Sequence, residues 1–202
     1  MAKINRDDLD RFFVFGVMPS QRTLYIGEVP ADDPEISPGM DYRLADRVIK
    51  GLIALEAISQ DPITLIINNP GGDEYQGLAI YDAIRACGSP TEARVIGHAM
   101  SMGAWITQAA DHRIIYPSAT MMIHYGTMGT WGHAIDFERW ADESKRLNKL
   151  EEQHFLERIR EKNPKYPLKK LQELLKFDTI LGPKECLDLG LIDEIFEFPE
   201  RN

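Results

Sequence analysis

Apolar runs of strand length alternate with segments of helical period along the middle of this chain, and that alternation restricts its fold more than any other feature. Ile63-Thr64-Leu65-Ile66-Ile67 is a run of the kind that lies inside a parallel sheet. Before it, Leu44, Val48, Leu52, Leu55 and Ile58 recur at helical spacing within 42–59; after it, 78–84 resumes that spacing. Strands are predicted at 23–27, 93–96, 113–116 and 121–124. Strands joined through helices are βαβ units, so the predicted class is α/β.

The flanking segments are less regular. Phe12-Phe13-Val14-Phe15 is read as either a first strand or an exposed docking segment, and the acidic, proline-rich 30–39 stretch as a surface insertion. Residues 134–162 read as a long charged helix with a thin apolar stripe (Ile135, Phe137, Trp140, Leu147, Leu150, Phe155, Ile159). Such a helix projects from the core or packs against another subunit. Helices at 168–175 and 183–189, the second ended by Gly190, precede a closing strand at 191–195.

At 202 residues and 44% hydrophobic content, the chain suits one well-buried domain, 1–202. A net charge of −9 argues against nucleic acid as a partner. Cys87 and Cys186 form neither a disulfide framework nor a zinc spacing, and no apolar run reaches membrane-spanning length. The expectation is a soluble cytoplasmic protein with no cofactor and no metal.

The chemistry centres on Gly97-His98-Ala99-Met100-Ser101-Met102-Gly103-Ala104, where a strand turns into a helix. Ser101 is the candidate nucleophile, although an N-cap in a small-residue turn is an equal reading. Pro70-Gly71-Gly72 is a second turn after a strand. The N–H groups of Gly72 and Met102, with Gly71 supporting, could hold an oxyanion, although a tight strand-to-helix turn explains the glycines as well. Of five histidines only His124 ends an apolar strand, as a base or as a core histidine. Asp178, beside Phe177, Ile180 and Leu181, is read as an apolar-set carboxylate that His124 could satisfy, or as a turn residue.

The octet around Ser101 resembles the nucleophile signature of the Clp protease proteolytic subunit family. Asn68-Asn69-Pro70-Gly71-Gly72 with Ala79-Ile80-Tyr81-Asp82 resembles that family's oxyanion-hole segment, and Met121-Met122-Ile123-His124 its histidine motif. Gly182-Pro183-Lys184-Glu185-Cys186 with Leu189-Gly190-Leu191-Ile192-Asp193 resembles its C-terminal segment. The resemblance implies a crotonase-like α/β fold with ββα units and a projecting handle at about 133–177. It implies serine peptidase chemistry on unfolded polypeptides by Ser101, His124 and Asp178, with Gly72 and Met102 as oxyanion donors. It further implies a homo-oligomer of stacked heptameric rings, an AAA+ unfoldase as partner, and substrate pairing as an added strand along Tyr125, Gly126 and Thr127. The chain departs from the family at Tyr125-Gly126, where Gln-Pro is usual. Two other functions compete: a non-catalytic ring subunit and an acyl-CoA-processing crotonase relative.

Overall fold

The computed structural model describes residues 6–27, 39–127, 129 and 131–200. The 30–39 segment therefore lies, apart from Gly39, outside the described residues, as does Met128. Helix α1 (Arg6–Phe15) comes first, with Asp7 and Asp8 in its first turn where the helix dipole favours them. The aromatic run at 12–15 is thus helical and not a strand. Four consecutive apolar residues fit either period, and the decision falls to packing. Phe12 meets Tyr25 edge to face with ring centroids 6.4 Å apart, while Phe13 faces solvent.

Among the described residues eight strands then form one sheet: β1 (Val17–Met18), β2 (Thr23–Ile26), β3 (Ile63–Asn69), β4 (Thr91–Met100), β5 (His112–Ile115), β6 (Thr120–Ile123), β7 (Thr179–Leu181) and β8 (Glu194–Ile195). The spatial order is β1-β2-β3-β4-β5-β8, and β2 through β8 in that path run parallel. β6 pairs with the far end of β4, and β7 lies antiparallel outside β6.

The helices are α2 (Tyr42–Ile58), α3 (Glu74–Ala86), α4 (Met102–Thr107), α5 (Ala134–Lys162), α6 (Leu168–Leu175) and α7 (Pro183–Leu189). Ile63, Leu65 and Ile67 of β3 are fully buried in one core with Leu52 and Leu55 of α2 and Ile80 of α3. Each such side chain contributes about 2 kcal/mol. Asp41 caps α2, its carboxylate accepting the N–H groups of Arg43 and Leu44 at 2.9 and 3.0 Å.

β4 carries the feature that positions the site. Ile67 pairs with Val95 and Asn69 with Ala99, so β4 spends four residues where β3 spends two. Such an irregularity bends a strand. The first half of β4 lies between β3 and β5, and the last three residues pair with β6, which delivers Ser101 away from the main sheet.

Along α5 no side chain of 134–146 is buried, whereas Leu147, Glu151, Phe155 and Ile159 form a buried row at four-residue spacing. The N-terminal half of the helix projects and the C-terminal half packs on the core.

The closing strand is shorter than predicted. Gly190 takes φ 97 and Leu191 N–H donates back to Cys186 O at 2.9 Å, so Leu191 serves the end of α7 and not a ladder. β7, by contrast, is a strand that periodicity did not predict; three residues give too short a pattern.

Arg113, 2% exposed, ties this end to the sheet. Its guanidinium donates to both Asp193 oxygens at 2.9 and 2.6 Å, to Gln108 Oε1 at 2.9 Å and to Gly190 O at 3.2 Å. Burial opposes ionisation of Asp193, but the Arg113 bonds prevail and hold its carboxyl below the usual range. Its contribution is therefore full above about pH 4, the unfolded carboxylate value, and is lost as pH falls through the lower folded value. Asp193→Asn should destabilise the chain by about 3 kcal/mol in denaturant unfolding at pH 7, because a buried guanidinium loses its counter-charge. A second substitution, Arg113→Met, should recover part of that loss.

Candidate active site

Ser101 stands between β4 and α4 with φ 53 and ψ −124, a region that residues other than glycine rarely occupy. Ser101 holds the N-cap position of α4, its carbonyl accepting Trp105 N–H at 3.1 Å, but its hydroxyl makes no capping bond to that helix. Its backbone N–H donates to Met122 O at 2.8 Å, fixing the residue to β6.

The β6–β7 ladder explains how the next two groups meet. Ile123 pairs with Thr179 in antiparallel register, so His124 and Asp178, one residue outward on each strand, fall side by side. His124 Nε2 lies 2.9 Å from Ser101 Oγ, and His124 Nδ1 lies 2.9 Å from Asp178 Oδ1. An ionised carboxylate can only accept, so this arrangement selects the tautomer with its proton on Nδ1 and leaves Nε2 to accept from the serine hydroxyl. His98, the other histidine near the serine in sequence, instead places its backbone N–H 3.3 Å from Asn68 Oδ1.

The surroundings of Asp178 differ from the expectation. Its side chain is 71% exposed, and Phe177 and Ile180 beside it are also exposed. β7 is the outermost strand here, so these residues face outward; register, and not an apolar setting, brings the carboxylate to His124.

The two glycines approach the serine from β3. A Cβ on Gly71 would sit 2.6 Å from Ser101 Cβ and 2.8 Å from Met100 O, and Gly71 itself has φ 98. Only glycine fits that gap. Buried Asn69 holds the turn, its side chain accepting Gly71 N–H at 2.8 Å and donating to Gly27 O at 3.0 Å. Gly71 O and Asp73 N–H both bond to Met40. The Gly71–Gly72 peptide is trans, so the N–H of Gly72 points opposite to Gly71 O, away from the N–H of Met40. Met102 is the first residue of α4, and its N–H has no acceptor within that helix.

Tyr125, Gly126 and Thr127 follow His124 as irregular backbone. Tyr125 N–H donates to Leu175 O at 2.7 Å, and its hydroxyl donates to Glu152 Oε1 at 2.5 Å. Gly126 packs against the Glu74 carboxylate at the start of α3.

Sequence reasoning missed three residues here: Asn69 in the turn, and Glu74 and Glu151 beyond it. Glu151 left a signal, since it interrupts the otherwise apolar row Leu147, Phe155, Ile159. It is 4% exposed and has no hydrogen bond or ion pair among the described residues. Burial, then the charges of Glu74 and Glu152, push its carboxyl up to about 9. A raised value means that the folded state prefers the protonated form. Stability is then full below about pH 4, the unfolded value, and falls as pH rises toward 9. Glu151→Gln should remove that decline and raise the melting temperature most at pH 8 to 9, as thermal unfolding across a pH series would measure.

The chain is similar in sequence to known proteins. A sequence-family model described as Clp protease matches residues 35–199. The chain is 34% identical over 168 residues to the ATP-dependent Clp protease proteolytic subunit of Deinococcus radiodurans, across 81% of this chain and 79% of that protein.

Proposed function

Since this chain belongs to the Clp protease family and is a serine-type peptidase, we propose that Ser101, His124 and Asp178 carry out the hydrolysis, within a chamber built from copies of the chain. The observation that carries this reading is the unbroken run of contacts from Ser101 Oγ through the His124 ring to Asp178, at 2.9 and 2.9 Å.

Ser101 Oγ attacks the peptide carbonyl carbon while His124 Nε2 takes its proton. Asp178 holds Nδ1–H, which fixes the ring and stabilises the imidazolium. The oxyanion receives the N–H groups of Gly72 and Met102. His124 then returns its proton to the leaving amine, leaving an acyl-enzyme on Ser101. Water, deprotonated by the same nitrogen, releases the acid and restores the serine. Tyr125, Gly126 and Thr127 offer the backbone along which an extended substrate pairs.

The chamber reading rests on surface. Trp131, Ile135, Phe137 and Trp140, on and just before the projecting half of α5, are between 43% and 99% exposed. A row of large apolar side chains in water marks an interface. We assign that face to contact between copies of the chain, in paired seven-membered rings. Substrates would be unfolded polypeptides delivered by an ATP-driven partner, a reading supported by the Deinococcus protein's name, an ATP-dependent Clp protease proteolytic subunit. No helix among the described residues is long and apolar enough to cross a membrane, and we place the protein in the cytoplasm as a single domain.

A fluorophosphonate probe should label the wild-type chain at Ser101 and leave Ser101→Ala unlabelled. Asp178→Asn should slow peptide hydrolysis by about 10³- to 10⁴-fold through the wrong imidazole tautomer. An unlabelled wild-type oligomer would instead favour a non-catalytic ring subunit. Trp140→Glu should shift the assembly to smaller species in sedimentation velocity, without lowering the melting temperature of the protomer by more than a few degrees.

A further inference from the structure

Glu151 occupies a core position of α5, in the row completed by Leu147, Phe155 and Ile159, yet no group among the described residues bonds to its carboxylate. Among the described residues, the side-chain atoms sealed from solvent without a partner are Ser20 Oγ and Tyr166 Oη. The Glu151 oxygens therefore open onto a recess that water reaches. Two further carboxylates border it. Glu74 stands two residues beyond Gly72 and lies against Gly126; Glu152 binds Tyr125 and, at 3.1 Å, Gln172. Burial, then Asp73, raise the Glu74 carboxyl, with His124 the opposing charge. Three carboxyl groups thus gather within reach of the catalytic histidine; burial favours the protonated form of Glu151 while the recess is empty, and an entering cation favours its charged form.

Substrate geometry says what enters. A carbonyl attacked by Ser101 and held by Gly72 and Met102 lies next to the start of α3. The side chain of the residue that supplies it leaves this point past the Glu74 carboxylate, which lies against Gly126, in the direction of α5. Among the described residues no group of three or more His, Cys, Asp or Glu could hold a metal ion, so the complementary cation is an organic one.

We propose that Glu74 and Glu151 line the pocket for the side chain preceding the scissile bond, and that this pocket selects lysine or arginine. The assignment rests on the peptidase reading above. Glu151 meets the cationic head at the end of the recess. Glu74 flanks its stem beside Gly126, and Glu152, occupied by Tyr125 and Gln172, fixes the wall.

The test compares the rates at which the assembled protein is labelled at Ser101 by diphenyl phosphonates carrying a lysine-like or a leucine-like side chain. Each rate is divided by that of a side-chain-free fluorophosphonate on the same variant. The lysine-like probe should lead by about tenfold or more in wild type, and the lead should fall to about threefold or less in Glu151→Gln and in Glu74→Gln. Glu151→Leu should reverse the order. Equal rates in wild type, a leucine preference, or a lysine lead untouched by both glutamine variants would overturn the assignment while leaving the peptidase reading intact. Failure of the fluorophosphonate to label Ser101 in wild type would overturn the peptidase reading, and this assignment with it. Glu151→Gln and Glu151→Leu remove an unbonded buried carboxylate, so both should fold.

Discussion

The site depends on one backbone conformation, that of Ser101. Holding a serine at positive φ costs about 1 to 3 kcal/mol and persists only where the surroundings over-determine it. Here β4 ends in a ladder with β6, Met122 O receives the serine N–H, and Gly71 leaves room on the third side. Helix α4 closes the fourth, with every residue from Met102 to Thr107 buried. Trp105 of α4 donates through Nε1 to His154 Nδ1 at 2.9 Å, and Tyr81 stacks on that imidazole with centroids 4.2 Å apart. Burial lowers the His154 pKa, keeping the ring neutral and able to accept. The strained turn is thus locked to α3 and α5 through one aromatic stack.

The opposite side of the site is held more loosely. Asp178 sits on the outermost strand, exposed, so its pull on the His124 ring acts partly through water. A neighbour that covered β7 would exclude that water and strengthen the same pair several-fold, since the attraction scales inversely with the local dielectric. Ile180, exposed on that strand, is an apolar surface on which such a neighbour could rest. Assembly and proton transfer would then be linked through solvent exclusion, with no movement of the chain required.

Much of this was legible in the sequence. The βαβ alternation, the strand 63–67, the long helix and the helix-ending Gly190 follow from apolar period and turn chemistry, which local residues largely decide. Ser101, His124 and Asp178 were nameable because motifs carry them, but what brings them together is not local. The register of β7 against β6 positions Asp178, and three residues cannot announce a strand. The apolar run at 12–15 was ambiguous because both periods accept it, and the choice rests on a contact with Tyr25. Glu74 and Glu151 went unread because a glutamate in a charged helix looks ordinary. Only the packed row around Glu151 shows that this one faces inward.

That inward-facing carboxylate makes position 151 asymmetric under mutation. Most core positions lose stability on any change, but here a single-base drift to a neutral or apolar residue would make the fold sturdier. Stability and discrimination thus pull in opposite directions at one residue, the usual trade-off at a functional site. A laboratory selection for heat resistance alone would be expected to erase Glu151 early, yielding a tougher protein with blunted taste.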